Sequence, residues 1–230
     1  MTSPTPRTLV VVTAGLSQPS STRLLADRLA EATRRPLADA GAPVETRVVE
    51  LRDLATDIAG NLVTGFPAPA LREAVETVER ADAVIAVTPV FAASYSGLFK
   101  SFFDLFEPTA LTGTPVLLAA TGGTARHSLV LEHAMRPLFS YLRAAVVPTA
   151  VFAAAEDWGG DGDPLTDTLP TRISRAAGEL AALLSARAGE TGPRAPSEAA
   201  EPSAEGTAER GSSGLRVTPF AEQLAALRPR

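Results

Sequence analysis

Hydroxyl-bearing residues crowd one short stretch near the start of the chain, Thr13-Ala14-Gly15-Leu16-Ser17-Gln18-Pro19-Ser20-Ser21-Thr22, which runs into the helical spacing of Leu24, Leu25 and Leu29. Hydroxyls beside the free backbone N–H groups of a helix start make an anion site, and a phosphate monoester suits it. One serine, Ser20 or Ser21, would suffice to cap the helix; capping leaves the other hydroxyls without a task. The spacing fits neither Gly-x-x-x-x-Gly-Lys-Ser nor Gly-x-Gly-x-x-Gly, which excludes a P-loop and a dinucleotide fingerprint. A second stretch, Thr88-Pro89-Val90-Phe91-Ala92-Ala93-Ser94-Tyr95-Ser96-Gly97, joins a stiff proline to small residues that leave the backbone open to a flat ligand. Phe91 is either an apolar neighbour for a ring or part of the core. In the third, Thr121-Gly122-Gly123-Thr124-Ala125-Arg126-His127, paired glycines allow either close backbone approach or a tight turn.

Each stretch follows a run expected to be a buried strand. Thr8 to Thr13, Val44 to Leu51, Asp82 to Thr88, Pro115 to Thr121 and Ala145 to Phe152 are short and rich in Val, Leu and Ile. Between them lie helical patterns: Leu71, Val75 and Val78; Leu131, Met135, Leu138 and Leu142; Ile173, Ala177, Leu180 and Leu184. Alternating strands and helices predict an α/β, doubly wound, five-stranded parallel sheet, which binds its ligands outside the carboxyl ends of the strands. Pro36 and Pro137 fall inside helical patterns and are expected to end or kink them.

Composition narrows the chemistry. The chain has 230 residues, no Cys and 2 His, which removes thiolate catalysis, cysteine zinc sites and disulfides, and disfavours an all-histidine metal site. A net charge of -5 gives no electrostatic footprint for nucleic acid. No apolar run has the length of a membrane span, and Met1 to Thr8 lacks an export core, so a cytoplasmic protein is expected. Residues 1–186 are expected to form the domain. Residues 187–213, without large apolar side chains, read as a flexible linker, and residues 214–230 as a short segment in which Phe220, Leu224 and Leu227 have helical spacing. Docking of that segment near the three loops is a further expectation.

Taken together, the three loops resemble the NAD(P)H-dependent FMN reductase family of flavodoxin-like proteins. The middle signature stands here as Thr88, Pro89, Phe91, Ser94, Gly97 and Lys100. The likeness is closest to the branch of alkanesulfonate-type reductases and those partnered with luciferase-like monooxygenases. It continues through Thr121-Gly122-Gly123, His127 and Met135-Arg136-Pro137. The resemblance implies strand order 2-1-3-4-5 and the use of FMN with NADPH or NADH. It also implies that Gly15, Ser17, Ser20, Ser21 and Thr22 bind the FMN phosphate, that Pro89, Val90, Phe91 and Ser94 line one side of the isoalloxazine, and that Thr121, Gly122 and Gly123 meet its polar edge. His127 either approaches the flavin or nicotinamide or packs at its helix start. Many relatives carry an Arg in the phosphate loop where this chain has Gln18, with Arg23 following, which leaves the counter-charge open.

The family's proteins are commonly homo-dimers or tetramers. The helix of Phe99, Phe102, Phe103 and Phe106 is either a contact face or buried core. The implied reaction is hydride transfer from nicotinamide to FMN without a catalytic acid or base, with reduced FMN passed to a separate monooxygenase. Alternatives are a flavodoxin-type electron carrier, a quinone or azo reductase that retains FMN, and a non-catalytic scaffold.

Overall fold

The runs of Val, Leu and Ile form the interior of one sheet. A computed structural model describes residues 7–159 and 167–187. In chain order, β1 (Arg7–Thr13), α1 (Ser21–Asp39) and β2 (Val44–Glu50) are followed by a 3₁₀ turn and α2 (Ala55–Thr64). Then come α3 (Pro69–Glu79), β3 (Ala83–Phe91), β4 (Ser94–Tyr95), α4 (Gly97–Phe103) and β5 (Pro115–Gly122). A π-helical turn (Leu131–Met135) leads into α5 (Arg136–Tyr141), β6 (Ala145–Val146), β7 (Val151–Ala154) and α6 (Leu169–Ala186). The expected linker beyond Arg187 and the 214–230 segment, with its docking, lie outside the described residues.

The strands run in the order β2-β1-β3-β5-β6, all parallel, so the chain reverses direction across the sheet between β1 and β3. Alternation along β1 divides the core. Val10 and Val12 face Leu71, Val78, Phe99, Phe102 and Phe139, while Leu9 and Val11 face Leu25 and Leu29 of α1 and Ile173 and Leu180 of α6. Each such large side chain, fully buried, contributes about 1.5–3 kcal/mol. No helix among the described residues is long and apolar enough to cross a membrane.

The expected five strands become seven. The run from Ala145 to Phe152 is not one strand: β6 pairs with Pro115 and Val116, β7 with Ala119 to Gly122, and Pro148 sits in the gap. Proline has no N–H to give to the ladder. Other groups take over there: Thr149 donates its N–H and hydroxyl to Glu179 at 2.8 and 2.6 Å, and Arg136 donates to the carbonyls of Val147 and Pro148 at 3.2 and 3.1 Å. Arg136 also holds Glu132, whose carboxyl is lowered below its ordinary value first by that hydrogen bond. The seventh strand, β4, folds back antiparallel on the end of β3.

The prolines behave differently from one another. Pro36 does not end α1, which runs on to Asp39; so near the helix end only one backbone bond is forgone. Pro137 lies at the start of α5, directly after the π-helical turn, whose wider winding relieves the clash of the ring with the preceding turn. The 55–64 helix, α2, has no counterpart among the sequence expectations.

Candidate functional site

Register brings the three loops level. Thr13 pairs with Val87, and Pro89 with Thr121, so β1, β3 and β5 release their chains at one edge of the sheet. The Ala14 N–H donates to Val87 O at 3.0 Å, holding the first loop to β3.

Within that loop the hydroxyls divide. Ser20 is the N-cap of α1 and accepts from the Arg23 N–H at 3.2 Å. Thr22 is buried, and its hydroxyl lies 2.8 Å from that of Thr121. Ser17 and Ser21 are exposed beside the helix start. Gly15 is buried against this arrangement: a Cβ there would stand 2.1 Å from Ser20 Oγ and 3.1 Å from Thr22 Cβ. Below the loop, Thr13 is 2% exposed and its hydroxyl has no partner. The cradle therefore offers two exposed hydroxyls and the N–H groups of a helix start.

The Thr22–Thr121 bond ties the first loop to the third across the sheet. Thr22→Val leaves the buried Thr121 hydroxyl unpaired and is expected to cost about 1–3 kcal/mol, whereas Thr22→Val with Thr121→Val is nearly neutral. Urea denaturation of both variants checks this; equal losses in the two would show that the hydroxyls do not depend on each other.

The second loop is a two-residue hairpin. Phe91 pairs with Ser94, and between them Ala92 and Ala93 hold φ of 47° and 67°. Two consecutive left-handed residues belong to a type I′ turn, normally Asn-Gly, and alanine there costs roughly 1–2 kcal/mol per residue. Replacing Ala92-Ala93 by Asn-Gly is expected to raise unfolding free energy by roughly 1–2 kcal/mol, read by urea denaturation. Thr88 anchors the hairpin from below, accepting from the Ser96 N–H at 3.0 Å and donating to Pro89 O at 3.0 Å. Pro89 is buried, Val90 is partly buried on the core, Ser94 is partly buried, and Phe91 is 48% exposed. The aromatic at this loop is thus outside the core.

The two glycines of the third loop differ. A Cβ on Gly122 would meet the Phe152 ring at 2.8 Å, a demand of packing; at Gly123 nothing lies within 4 Å. His127 and Arg126 are exposed on the 3₁₀ turn that follows. Lys100 of α4 is part-exposed and paired with Asp104.

Two residues near the first loop, Glu50 and Arg52, escaped sequence reasoning. Glu50, the last residue of β2, pairs in register with Thr13 and forms ion pairs with Arg23 and with Arg52, the latter at 3.2 Å. Arg23 also holds Asp27 at 2.8 Å, and its guanidinium is raised above its ordinary value by that bond first and by Glu50 after it. The Gln18 amide, turned with its oxygen to Arg52, accepts from both guanidinium nitrogens, Nη1 at 2.7 Å. No spacing in the sequence signals this cluster, because β2 reaches the loop only through sheet pairing.

Phe99, Phe102 and Phe103 of α4, with Phe106 just after it, are core and not a contact face. Phe99, Phe102, Phe103 and Phe106 are at most 6% exposed, and Phe99, Phe103 and Phe139 stack within 4.7–6.2 Å of one another.

Residues 7–159 match the family described as NADPH-dependent FMN reductase. An FMN reductase (NADPH) of Pseudomonas aeruginosa is 38% identical over 182 residues, covering 79% of this chain and 95% of that protein. An NADH-dependent FMN reductase, SfnF, of Pseudomonas fluorescens is 39% identical, covering 77% and 92%. Among solved structures, an oxidoreductase from Corynebacterium diphtheriae is 48% identical, with a TM-score of 0.74 over 79% of this chain and 98% of that one.

Proposed function

We infer the working of the site from one premise: the chain belongs to the NADPH-dependent FMN reductase family. It is an oxidoreductase that uses NAD(P)H to reduce FMN. The residues fit such a ligand. Gly15 leaves room that a Cβ would fill, the Thr13 hydroxyl lacks a partner, and Ser17 and Ser21 stand exposed at a helix start.

FMN, once bound, supplies the redox chemistry. The chain's part is to hold and orient. The N–H groups at the start of α1, with Ser17 and Ser21, hold the phosphate; Ser20 and Thr22 keep the loop in shape; and Gly15 lets it close. Val90, Phe91 and the hairpin would flank the isoalloxazine, and the backbone from Thr121 to Gly123 would meet its polar edge. His127, exposed on the turn that follows, would flank the nicotinamide. No side chain needs to move a proton, in keeping with a site whose engaged carboxylate, Glu50, is paired with arginines.

The observation that carries the reading is the meeting of these three loops, level in register, where the chain reverses across the sheet. We further propose that reduced FMN is released to a separate monooxygenase, a reading supported by the exposed, hydroxyl-lined phosphate loop. We also propose a homo-dimer or tetramer. The test is the rate of NADPH and NADH oxidation with and without added FMN, together with an absorption spectrum of the isolated protein. Turnover that requires free FMN by a nearly colourless protein is expected. A yellow protein inert to both nucleotides would instead be an electron carrier.

A further inference from the structure

The loop from Ala14 to Thr22 contains no Lys or Arg, although its guest is a phosphate. Two guanidinium groups border it. Arg23 follows the capping turn of α1, and Arg52 touches Gln18 inside the loop. Both are committed elsewhere: Arg23 to Asp27 and Glu50, Arg52 to Glu50 at 3.2 Å and to Asp53 at 3.3 Å. Glu50 is the carboxylate they share. Its register partner is Thr13, so it stands level with the start of the loop, and its side chain is only 23% exposed, where salt and water screen it incompletely.

A carboxylate between two guanidinium groups cancels much of the positive potential they would otherwise present to an incoming dianion. Resting on the assignment of the FMN phosphate to this loop, we propose that Glu50 sets flavin affinity by withholding the counter-charge of Arg23 and Arg52 from the phosphate. Glu50 is a positioning residue here: it acts through the two arginines. The phosphate is then held by neutral donors, Ser17, Ser21 and the helix N–H groups, and FMN stays exchangeable, as a flavin that arrives and leaves must.

The test compares wild-type, Glu50→Gln and Glu50→Asp full-length proteins by fluorescence titration with FMN and with riboflavin, at low and high salt. Glu50→Gln keeps the shape and removes the charge. It is expected to tighten FMN about three- to tenfold, leave riboflavin unchanged and steepen the salt dependence of FMN binding, while Glu50→Asp stays near wild type. Gln18→Arg removes the acceptor that Arg52 now uses and adds a guanidinium to the loop itself, and is expected to give a like gain with Glu50 intact. An FMN-to-riboflavin ratio unmoved in Glu50→Gln, or both flavins shifting together, overturns the proposal while the loop assignment stands. Wild-type protein that binds riboflavin as tightly as FMN removes the loop assignment itself.

Discussion

Gly15→Ala is expected to weaken FMN binding about tenfold to 100-fold while the protein stays folded. The added Cβ falls 2.1 Å from Ser20 Oγ, closer than such atoms stand, and 3.1 Å from Thr22 Cβ, a tight contact. Ser20 Oγ can turn away only by giving up the cap of α1, and the contacts with Thr22 Cβ, on a side chain fastened to Thr121, and with Ser20 Cβ at 3.2 Å remain. The loop must move instead, and the donors it aims at the phosphate move with it. Hydrogen bonds to a charged group contribute about 1.5–3 kcal/mol each, so losing one accounts for the range. Riboflavin, which lacks the phosphate, serves as the control and is expected to lose little. Fluorescence titration with both flavins decides: FMN affinity within about twofold of wild type would mean that the phosphate lies elsewhere.

The largest loss of stability is expected from Phe99→Ala, about 3–5 kcal/mol. Phe99 is fully buried, with ring centroids of Phe103 at 4.7 Å, Tyr95 at 5.9 Å and Phe139 at 6.2 Å. Nothing nearby is free to fill the void, because Phe102 and Phe103 stack edge to face in the same cluster. At this chain length the midpoint of thermal unfolding is expected to fall by about 10 °C. The Phe99 N–H also donates to Ser96 Oγ, and the Ser96 N–H to Thr88 Oγ1, so the cluster underlies the hairpin that carries Phe91. Phe99→Leu keeps most of the buried area and is expected to cost less. Urea denaturation of the two variants measures this, and a loss of under about 1 kcal/mol for Phe99→Ala would show that α4 is not packed as described.

Much of this was legible in residue order. Strands β1, β3 and β5 fall where continuous Val, Leu and Ile runs lie, because strands buried on both faces need apolar residues at every position. Helices α3 and α6 follow their periodic Leu, Val and Ile, and the three chemistry-bearing loops follow their strands. The fifth strand was misread as continuous. Its hydrophobic content is right, but Pro148 removes a ladder donor, and whether a strand survives such a loss depends on partners such as Glu179 and Arg136 that lie far along the chain. The phenylalanines of α4 were equally ambiguous: periodicity says that a helix face is apolar, and only the position of α5 says what covers it.

Local chemistry, then, was determined by the sequence alone: a hydroxyl-rich helix start, a stiff small-residue hairpin, a double glycine, and the order in which strands and helices alternate. Such features depend on neighbours within a few residues, where propensity and spacing act directly. Tertiary structure decided which hydroxyls stay available, Ser17 and Ser21 rather than Ser20 and Thr22, and which glycine is fixed by packing, Gly122 against Phe152. It also decided that Glu50 stands between Arg23 and Arg52 beside the loop. Hydrogen bonds, steric limits and ion pairs are pairwise and short-ranged in space, and residues far apart in the chain become partners only once strand register has set the distance between them.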